Sequence, residues 1–400
     1  MFKRLFWLSL GAFAVGTEGF VIAGILPAMS RDLAVSLAAV GQLVTAFSLA
    51  YALGSPLLAI ATAAWPREWV LRAAMGGFAA ANLLAALAPS YGWVMAARVL
   101  LALTAGLFMP TAGAYAAAAV EPTQRGRALG MVYLGMTTAM VVGVPLGTLV
   151  GGHWGWRATF AGVAVLGLLA LAGLCLPSVR QPMHAPAGLR ERFAVAKRPE
   201  ILRSLWVTFF CMAGAFAVYT YLSPFLRAAT GISEASVAWA LMLFGIGGAA
   251  GNIIGGHLSD ARGPRYVLPR VLGALVVIFA LMSLVAQSLP PATALVLIAV
   301  LIGAWGLIGW SFPPAQQSHL VHQAPQLTPV VLSLNSSAMY LGVSFGALLS
   351  SGAVAWGHVS TIGWIGAGCE LVALGLVALG ARSHAAQRAA GRAGGVTTAR

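Results

Sequence analysis

The distribution of positive charge constrains this chain more than any other feature. Its 23 Lys and Arg residues lie among long apolar stretches. If the first stretch runs outward from the cytoplasm, almost all of these charges fall on the inner side, which is the pattern that orients membrane helices. Arg31, Arg157 and Arg227 are then outside, Arg98 alone lies within a span, and the inner charges are Lys3, Arg4, Arg67, Arg72, Arg125, Arg127, Arg180, Arg190, Arg192, Lys197, Arg198, Arg203, Arg262, Arg265, Arg270, Arg382, Arg388, Arg392 and Arg400. The pattern predicts that both termini are cytoplasmic.

Composition excludes an ordinary soluble protein. Hydrophobic residues make up 60% of the 400 residues, and charged residues only 8%. A soluble protein of this length could not bury so much apolar surface. The net charge of +14 would suggest a nucleic-acid partner in a soluble protein, but no basic stripe is interleaved with exposed aromatic residues. We therefore expect the positive charges to face the headgroups of a lipid bilayer, and we expect no nucleic-acid partner.

Apolar stretches long enough to cross a bilayer, about 20 residues each, predict an all-α membrane protein. Twelve transmembrane helices are predicted at 5–28, 39–62, 69–88, 93–118, 128–152, 158–177, 203–228, 236–258, 266–288, 292–313, 330–355 and 360–381. A polar, proline-containing segment separates them into two groups of six. The predicted organisation is an N-terminal six-helix bundle at 1–177, a cytoplasmic linker at 178–202, a C-terminal six-helix bundle at 203–381 and a cytoplasmic tail at 382–400.

The two groups of six helices repeat each other. The segment that begins at Gly54 matches the segment that begins at Gly251 without a gap. In the fifth and eleventh spans, Met140, Gly143 and Gly147 match Met339, Gly342 and Gly346 at a constant offset. Parallel repeats of six spans predict two pseudo-symmetric bundles, with a substrate cavity between them near the middle of the membrane.

Three stretches resemble the major facilitator superfamily, and the resemblance extends over the full length of the chain. The first stretch is Gly251-x-x-x-Gly255-Gly256-His257-Leu258-Ser259-Asp260-Ala261-Arg262-Gly263-Pro264-Arg265, and the second is Gly143-Val144-Pro145-Leu146-Gly147. The third is Thr17-Glu18-Gly19-Phe20 with Gly24-Ile25-Leu26-Pro27. The last two resemble the twelve-span drug and sugar efflux branch, which contains proton-driven antiporters for chloramphenicol, arabinose and related sugars, and purine nucleosides. The resemblance implies a multi-pass transporter of the bacterial inner membrane, usually monomeric.

The resemblance also implies conformational roles for two of these stretches. In the family, Gly251, Gly255, Asp260, Arg262, Gly263 and Arg265 belong to a cytoplasmic loop signature whose charges form a clasp between helices. Here the position equivalent to Asp260 in the first half is Ala63, so the clasp is one-sided. In the family, the stretch that matches Gly143, Pro145 and Gly147 is typical of antiporters, where it acts as a seal against leak or as a hinge. A solvated loop and ordinary close helix packing are the alternatives for these two stretches.

Glu18 is the residue with the clearest chemical potential. A carboxylate in the middle of a span costs about 2.5–3.5 kcal/mol to insert, so it requires a partner or a function. A buried carboxyl can take up and release a proton as a cavity changes sides. A protonated, hydrogen-bonded structural Glu is the alternative. In the efflux branch the acid directly precedes Phe, whereas Gly19 intervenes here, which turns Glu18 by about 100° relative to that Phe.

Arg98 is predicted to be the partner of Glu18. Arginine keeps its proton, so Arg98 cannot carry one, but it can hold a nearby carboxylate ionised. Counted at 1.5 Å per residue, Arg98 lies about 9 Å and Glu18 about 15 Å below the outer surface, so their side chains can reach each other. In the family, an Arg at this position begins a signature with Gly four residues later; this chain has Ala102 there. A structural anchor is the alternative role for Arg98.

The predicted substrate wall consists of polar side chains in spans that should line the cavity. A few polar groups among apolar ones suit a small neutral or amphipathic molecule. Trp305 and Trp310 could add stacking surfaces, although Trp at span ends usually belongs to an interfacial belt. The predicted wall residues are Gln42, Thr45, Tyr219, Tyr221, Asn335 and Tyr340.

Two further groups of residues are given structural roles. Glu370, in the middle of the last span, is interpreted as a structural or snorkelling acid, with a second proton site as the alternative. His319 and His322 are interpreted as loop residues, because no carboxylate or cysteine accompanies them as a metal ligand. We expect no metal and no cofactor.

Together these features predict a proton-coupled secondary transporter that exports a small drug, sugar or nucleoside by alternating access. A proton-coupled importer on the same fold is the first alternative. A membrane sensor that transports nothing is the second. An enzyme is not expected, because the spans contain no cluster of His, Asp or Ser residues.

Overall fold

A computed structural model describes residues 2–121, 124–176, 195 and 197–395. Most of the predicted linker 178–202 and the end of the predicted tail 382–400 lie outside the described residues. The described part of the chain contains twelve helices that are long and apolar enough to cross a membrane, and no strand. The predicted fold class is therefore confirmed.

The helices follow one another with short connections, as expected for antiparallel neighbours. The first six spans are Phe2–Asp32, Leu37–Ala61, Arg67–Ala86, Tyr91–Ala118, Arg125–Trp154 and Trp156–Cys175. The last six spans are Pro199–Tyr219, Glu234–Arg262, Pro264–Ser288, Pro291–Gln323, Thr328–Ala355 and Ile362–Gly395. The short helix Leu222–Thr230 follows the seventh span.

Two spans were predicted as continuous helices but are interrupted. The predicted span 203–228 is broken between Tyr219 and Leu222, and the tenth span is broken between Gly309 and Phe312. Pro224 follows the first break, and Pro313 and Pro314 follow the second. Proline cannot donate to the carbonyl four residues earlier, so each proline releases a backbone bond at the break.

The tenth span also extends further than predicted. Helix Phe312–Gln323 contains both His319 and His322, so the interpretation of these histidines as loop residues was wrong. His322 Nδ1 lies 2.7 Å from the carbonyl oxygen of Ser318, one turn earlier in the same helix. The apolar pattern ends near residue 313, but the helix continues because its polar residues face other helices of the C-terminal half.

Matched glycines pack matched helices in the two halves. A Cβ atom at Gly147 would lie 2.7 Å from Val21 Cγ2 of the first span, and one at Gly143 would overlap Thr17 Oγ1. In the second half, Cβ atoms at Gly342 and Gly346 would overlap backbone carbonyls of the seventh span. The repeat read from the sequence therefore corresponds to the same glycine-mediated contact, between spans 1 and 5 and between spans 7 and 11.

A ladder of three serines joins the two halves along the second and eleventh spans. We call Ser337, Ser344 and Ser351 the serine ladder; successive members lie about two helical turns apart. Each hydroxyl donates to a backbone carbonyl of the second span: Ser337 to Ala52 at 3.2 Å, Ser344 to Thr45 at 3.2 Å and Ser351 to Ala38 at 3.5 Å. This spacing keeps one face of each helix on the other along the shared length, as in a coiled coil.

The two halves separate towards the end that is predicted to be cytoplasmic. The eighth span packs against residues 139–154 of the fifth span and makes few contacts with Arg125–Thr138. Beyond the serine ladder, Ser55 of the second span donates to Gly106 O in its own half, at 2.6 Å. The halves are therefore closed at the predicted outer end and apart at the other.

Candidate functional site

Glu18 and Arg98 form an ion pair inside the N-terminal half. Arg98 Nη1 donates to Glu18 Oε1, and both side chains are 0% exposed. The structure therefore brings the two predicted residues together, in agreement with the depths estimated from the sequence. Burial removes both charges from water, so each charge depends on the other for compensation.

The ion pair uses only half of each partner. Glu18 Oε2 and Arg98 Nη2 are buried and have no hydrogen-bond partner among the described residues. The Arg98 guanidinium lies 4.3 Å from the centroid of the Phe47 ring, and its Nε contacts Leu43 O at 3.5 Å. A two-point pair of Arg with a carboxylate would be stronger. The arrangement instead leaves one carboxylate oxygen without a donor, where a proton can bind.

The residues that follow Glu18 face the other half of the molecule. Nothing lies within 4 Å of the position that a Cβ atom at Gly19 would occupy, so Gly19 borders open space. The Phe20 ring lies between 5.8 and 6.1 Å, centroid to centroid, from the rings of Phe216, Tyr219 and Trp310. The glycine that separates the acid from the aromatic residue thus leaves room beside Glu18 while Phe20 contacts the C-terminal half.

Two stacked tyrosines connect the ion pair to the contact between halves. The rings of Tyr51 and Tyr340 are 3.7 Å apart, centroid to centroid, at an interplanar angle of 21°. The Tyr51 ring is also 6.3 Å, centroid to centroid, from the Phe47 ring against which Arg98 lies. The sequence prediction included Tyr340 and missed Tyr51. The signal was present, because Tyr51 continues the three-residue spacing of the polar face that holds Thr45.

The remaining predicted wall residues are divided between the interface and the C-terminal half. Gln42 Nε2 donates to Ser351 Oγ at 2.8 Å, and Tyr219 Oη donates to Phe20 O at 3.2 Å, so both residues bridge the halves. Tyr221 is 0% exposed and packs against Gly41 of the second span. Asn335 instead accepts a hydrogen bond from Thr208 within the C-terminal half, at 2.7 Å. The structure therefore does not place all six predicted residues on one wall.

Trp305 does not belong to an interfacial belt. Its side chain is 2% exposed and contacts the rings of Phe244 and Phe279, with centroids 4.7 and 5.1 Å away. Trp310 contacts Phe20 across the interface. Of the two tryptophans left open by the sequence, only Trp310 is placed beside the space between the halves.

The stretch around Pro145 contains a π-helical turn. Residues Ala139–Gly143 form this turn, and the Val144 N–H donates to Ala139 O, five residues back. Pro145 follows directly and has no N–H to donate. The carbonyl of Met140 would overlap a Cβ atom at Gly245 of the eighth span. The predicted hinge is thus a turn of irregular helix held against the other half, and such turns frequently occur at functional sites.

The loop signature is not closed as a charge clasp in this conformation. Asp260 is exposed and forms no salt bridge with any described residue. Arg262 Nη1 instead donates to Tyr266 Oη at 2.7 Å, and Arg265 is exposed. The charges predicted to form the clasp lie at the end where the halves are apart.

The glycines of the loop signature have packing and turn roles. Gly263 ends the eighth span with a φ of 81°, a conformation that residues with a Cβ rarely adopt. A Cβ atom at Gly251 would overlap Leu307 O, and one at Gly255 would lie 2.5 Å from Ser311 Cα. Ser311 Oγ also donates to Gly251 O at 2.9 Å. Gly251 and Gly255 therefore allow the eighth and tenth spans to touch.

Comparison with known proteins gives a family match over nearly the whole chain. The sequence profile described as Major Facilitator Superfamily matches residues 8–347 and 205–399. Among solved structures, the D-xylose-proton symporter superposes with a TM-score of 0.78 at 16% identity, covering 94% of this chain and 97% of the symporter. At this identity the structural likeness concerns the fold.

Three relatives are similar over almost their full length. The uncharacterized MFS-type transporter YbcL of Bacillus subtilis is 33% identical over 371 residues, which is 93% of this chain and 94% of YbcL. The inner membrane transport protein YdhP of Escherichia coli (strain K12) is 30% identical, covering 94% of this chain and 95% of YdhP. A chloramphenicol resistance protein of Streptomyces lividans is 32% identical, covering 93% and 94% respectively.

Proposed function

The chain belongs to the major facilitator superfamily, and we propose that it is a proton-coupled transporter that exports a small neutral or amphipathic compound across the bacterial inner membrane. The family and the twelve spans make it a multi-pass membrane transporter rather than an enzyme. Proton coupling, the outward direction, the substrate class and the cytoplasmic placement of both termini are the proposed parts.

The buried ion pair of Glu18 and Arg98 is the observation that supports proton coupling. A carboxylate fully buried in a span exchanges a proton only if its surroundings change, because either loss of Arg98 or access of water alters the balance between its charged and neutral forms. The next residue, Gly19, borders open space, whereas Glu18 itself is fully buried and has one oxygen without a donor. Glu18 is therefore able to bind a proton without first breaking the contact between Oε1 and Arg98.

The proposed transport cycle uses the two contacts between the halves. In the structure, the serine ladder holds the halves together from the predicted outer end to just past the middle of the second span, and the turn Ala139–Gly143 contacts the eighth span near mid-membrane. Substrate enters the space beside Gly19 and Phe20 from the open end. Opening the outer end then requires the ladder to separate, which also separates Tyr340 from Tyr51. Because Tyr51 contacts the Phe47 ring that lies against Arg98, this movement changes the surroundings of the ion pair and favours exchange of the Glu18 proton.

Export is supported by the relative that is named for chloramphenicol resistance. The aromatic side chains where the halves meet, Phe20, Tyr219 and Trp310, suit a compound that has both an apolar face and a few polar groups. A proton-coupled importer would use the same residues with the flux reversed, so the direction of flux under a gradient decides between them.

The test is proton flux in proteoliposomes that carry an imposed pH gradient. A pH-sensitive dye reports protons while phenicols, sugars and nucleosides are added one at a time. We expect one compound class to release protons through the unaltered protein and not through Glu18→Gln. Glu200→Gln is the matched control, because Glu200 is exposed and outside the site, so the same chemical change should leave proton release intact.

Each other outcome contradicts a definite part of the proposal. Equal proton release by the unaltered protein and Glu18→Gln removes Glu18 as the coupling site. Substrate uptake that runs with the proton gradient, instead of against it, identifies an importer. A protein that binds a compound but moves neither the compound nor protons is a sensor.

A further inference from the structure

We propose that Glu370 is a second proton-binding site, which exchanges its proton with the predicted cytoplasmic side through a cavity inside the C-terminal half. The site is separate from the ion pair of Glu18 and Arg98, because Glu370 lies in the twelfth span and contacts the seventh. The proposal therefore stands or falls independently of coupling at Glu18.

The first observation is a fully buried carboxyl group that no positively charged side chain compensates. Glu370 is 0% exposed, so its side chain does not snorkel to the membrane surface. No nitrogen or oxygen donor among the described residues binds either carboxylate oxygen, and the Cys211 thiol is the neighbouring weak donor. A Cβ atom at Gly214 of the seventh span would lie 3.0 Å from Glu370 Oε1, so the carboxyl is pressed against the backbone of its neighbour. An ionised carboxylate in this setting would be uncompensated, which favours the protonated form.

The second observation is a cavity that leads towards this carboxyl. It has a volume of about 380 Å³ and lies among the seventh, ninth, tenth and twelfth spans. Arg203 and Arg265 line it at the predicted cytoplasmic end, and Arg265 is exposed, so the cavity opens to solvent there. Polar side chains continue inward, because Ser204, Gln316 and His319 also line the cavity.

The cavity ends one helical turn from Glu370. Its deepest lining residue on the twelfth span is Leu374, four residues from Glu370 and therefore on the same face. On the seventh span Val207 lines the cavity, and Cys211, which is next to the Glu370 carboxyl, lies one turn deeper. The carboxyl is thus about 15 Å from Gly380 at the mouth, measured along the helix axis. Val207 and Leu374 are thus the lining residues one helical turn from Cys211 and Glu370, respectively.

No described positive charge faces Glu370 from the helices packed around it. The seventh span contributes Cys211, which is a neutral thiol neighbour, and the twelfth span contributes Cys369. Arg203 of the seventh span lies two turns away, at the cavity mouth. On the ninth span Arg270 is engaged with Tyr266, to whose carbonyl it donates at 2.8 Å, and Arg265 is exposed. Glu370 is therefore compensated by a proton and not by a cation.

The proposed exchange is a simple transfer. The O–H bond of the carboxylic acid breaks, the proton passes to a water molecule in the cavity, and the electron pair stays on the carboxylate. The reverse step restores the acid. Loss of the proton places a negative charge against the backbone of Gly214, which disfavours the contact between the seventh and twelfth spans. Cytoplasmic acidity would in this way tune the packing of the helix that carries Tyr219.

The proposal is tested by infrared difference spectroscopy of the purified full-length protein in lipid. A protonated carboxyl has a carbonyl stretch distinct from that of a carboxylate, and the chain has only 9 Asp and Glu residues, so the spectrum is simple. We expect the band of a buried protonated carboxyl in the unaltered protein and in Glu18→Gln, its loss in Glu370→Gln, and its displacement in Glu370→Asp. Transfer to D2O should shift the band within the time of the measurement.

Access through the cavity is tested with a plug and its control. Val207→Phe fills the inner end of the cavity and should slow the deuterium shift several-fold. Leu371→Phe makes the same kind of change next to Glu370 on a side chain that is 59% exposed to lipid, and should leave the rate unchanged. In a Glu18→Gln background, a band that survives Glu370→Gln overturns the proposal. So does a Glu370 band that never shifts in D2O, which would mark a permanently protonated structural acid, or one that shifts equally fast with Val207→Phe.

Discussion

Arg98 of the fourth span donates a hydrogen bond to Glu18 of the first span at a depth where neither side chain has any exposed surface. The pair is therefore internal to the N-terminal half, and no residue of the other half is needed to form it. Its link to the interface runs from Arg98 through the Phe47 ring to Tyr51, which stacks on Tyr340 of the other half. A change in the contact between the halves can therefore be transmitted to the ion pair of Glu18 and Arg98.

The two members of the ion pair should be strongly coupled in stability. Arg98→Met leaves the Glu18 carboxyl buried without its counter-charge and should lower the free energy of unfolding by about 3–5 kcal/mol. Glu18→Gln with Arg98→Met removes both charges and should recover most of that loss. Thermal unfolding in a fixed detergent measures both. Additive effects of the two changes would show that the contact is not an energetic unit.

The sequence was sufficient to predict this pair, and the reason is physical. Membrane spans contain so few charges that one acid and one base at overlapping depths have few other partners. The same argument cannot determine the geometry, because whether Arg98 binds one or both oxygens depends on how Phe47 and Leu43 pack around it. The departure at Gly19 was visible in the sequence, but only the structure shows that this glycine borders open space.

The serine ladder should stabilise closure of the predicted outer end. Interhelical hydrogen bonds of this kind are worth about 0.6 kcal/mol each in membrane proteins. Replacement of Ser337, Ser344 and Ser351 by Ala should therefore weaken closure by about 2 kcal/mol, or about 20-fold in the equilibrium constant. Distance measurements between spin labels at the predicted outer ends of the two halves report this shift.

Ser336→Ala is the control for the ladder. Ser336 is exposed and donates to Leu332 O of its own helix at 3.1 Å, so its loss should not move the distances. If the triple variant gives the same distance distribution as Ser336→Ala, the hydrogen bonds of the ladder form as a result of closure and do not stabilise it.

Gly147 should not tolerate a side chain, whereas Gly152 should. A Cβ atom at Gly147 would lie 2.7 Å from Val21 Cγ2, while nothing lies within 4 Å at Gly152. Gly147→Leu is expected to cost about 1–3 kcal/mol by overpacking, and Gly152→Leu about 0.5 kcal/mol or less. Thermal unfolding in detergent gives both values. The eleventh span offers the same contrast between Gly346→Leu, where a Cβ atom would overlap Ala213 O, and Gly352→Leu, where nothing lies within 4 Å, so similar values within either pair would argue against the glycine contact.

A cross-link between positions 42 and 351 should lock the predicted outer end. Gln42 Nε2 and Ser351 Oγ are 2.8 Å apart, so cysteines at these positions should be joined by a short, cleavable bifunctional thiol reagent once Cys175, Cys211 and Cys369 have been replaced. Transport should stop on cross-linking and return when the linker is cleaved. A pair at positions 42 and 336 should not cross-link. Full transport by the cross-linked protein would mean that this end does not need to open.

Other parts of the molecule could not be predicted from apolar pattern and charge. The breaks after Tyr219 and Gly309 depend on prolines whose effect varies with the neighbours that take up the released carbonyls. The π turn Ala139–Gly143 differs from an α-helix in its backbone hydrogen bonding and cannot be detected in the hydropathy of the sequence. The sequence left open whether Glu370 is buried or reaches the surface, because a lone acid in an outer helix can do either; the structure buries it against Gly214.

Each of the three hydroxyls of the serine ladder donates its hydrogen bond to a backbone carbonyl of the second span. Whatever amino acid stands at position 38, 45 or 52 of the second span presents the same oxygen to the serine opposite, so mutation there leaves the hydrogen bond chemically available. Side chains of the second span can therefore be substituted during selection for new compounds, while the hydrogen bonds between the serine ladder and the second span are retained. A transporter with this arrangement can change its substrate specificity without losing the serine ladder that joins its halves.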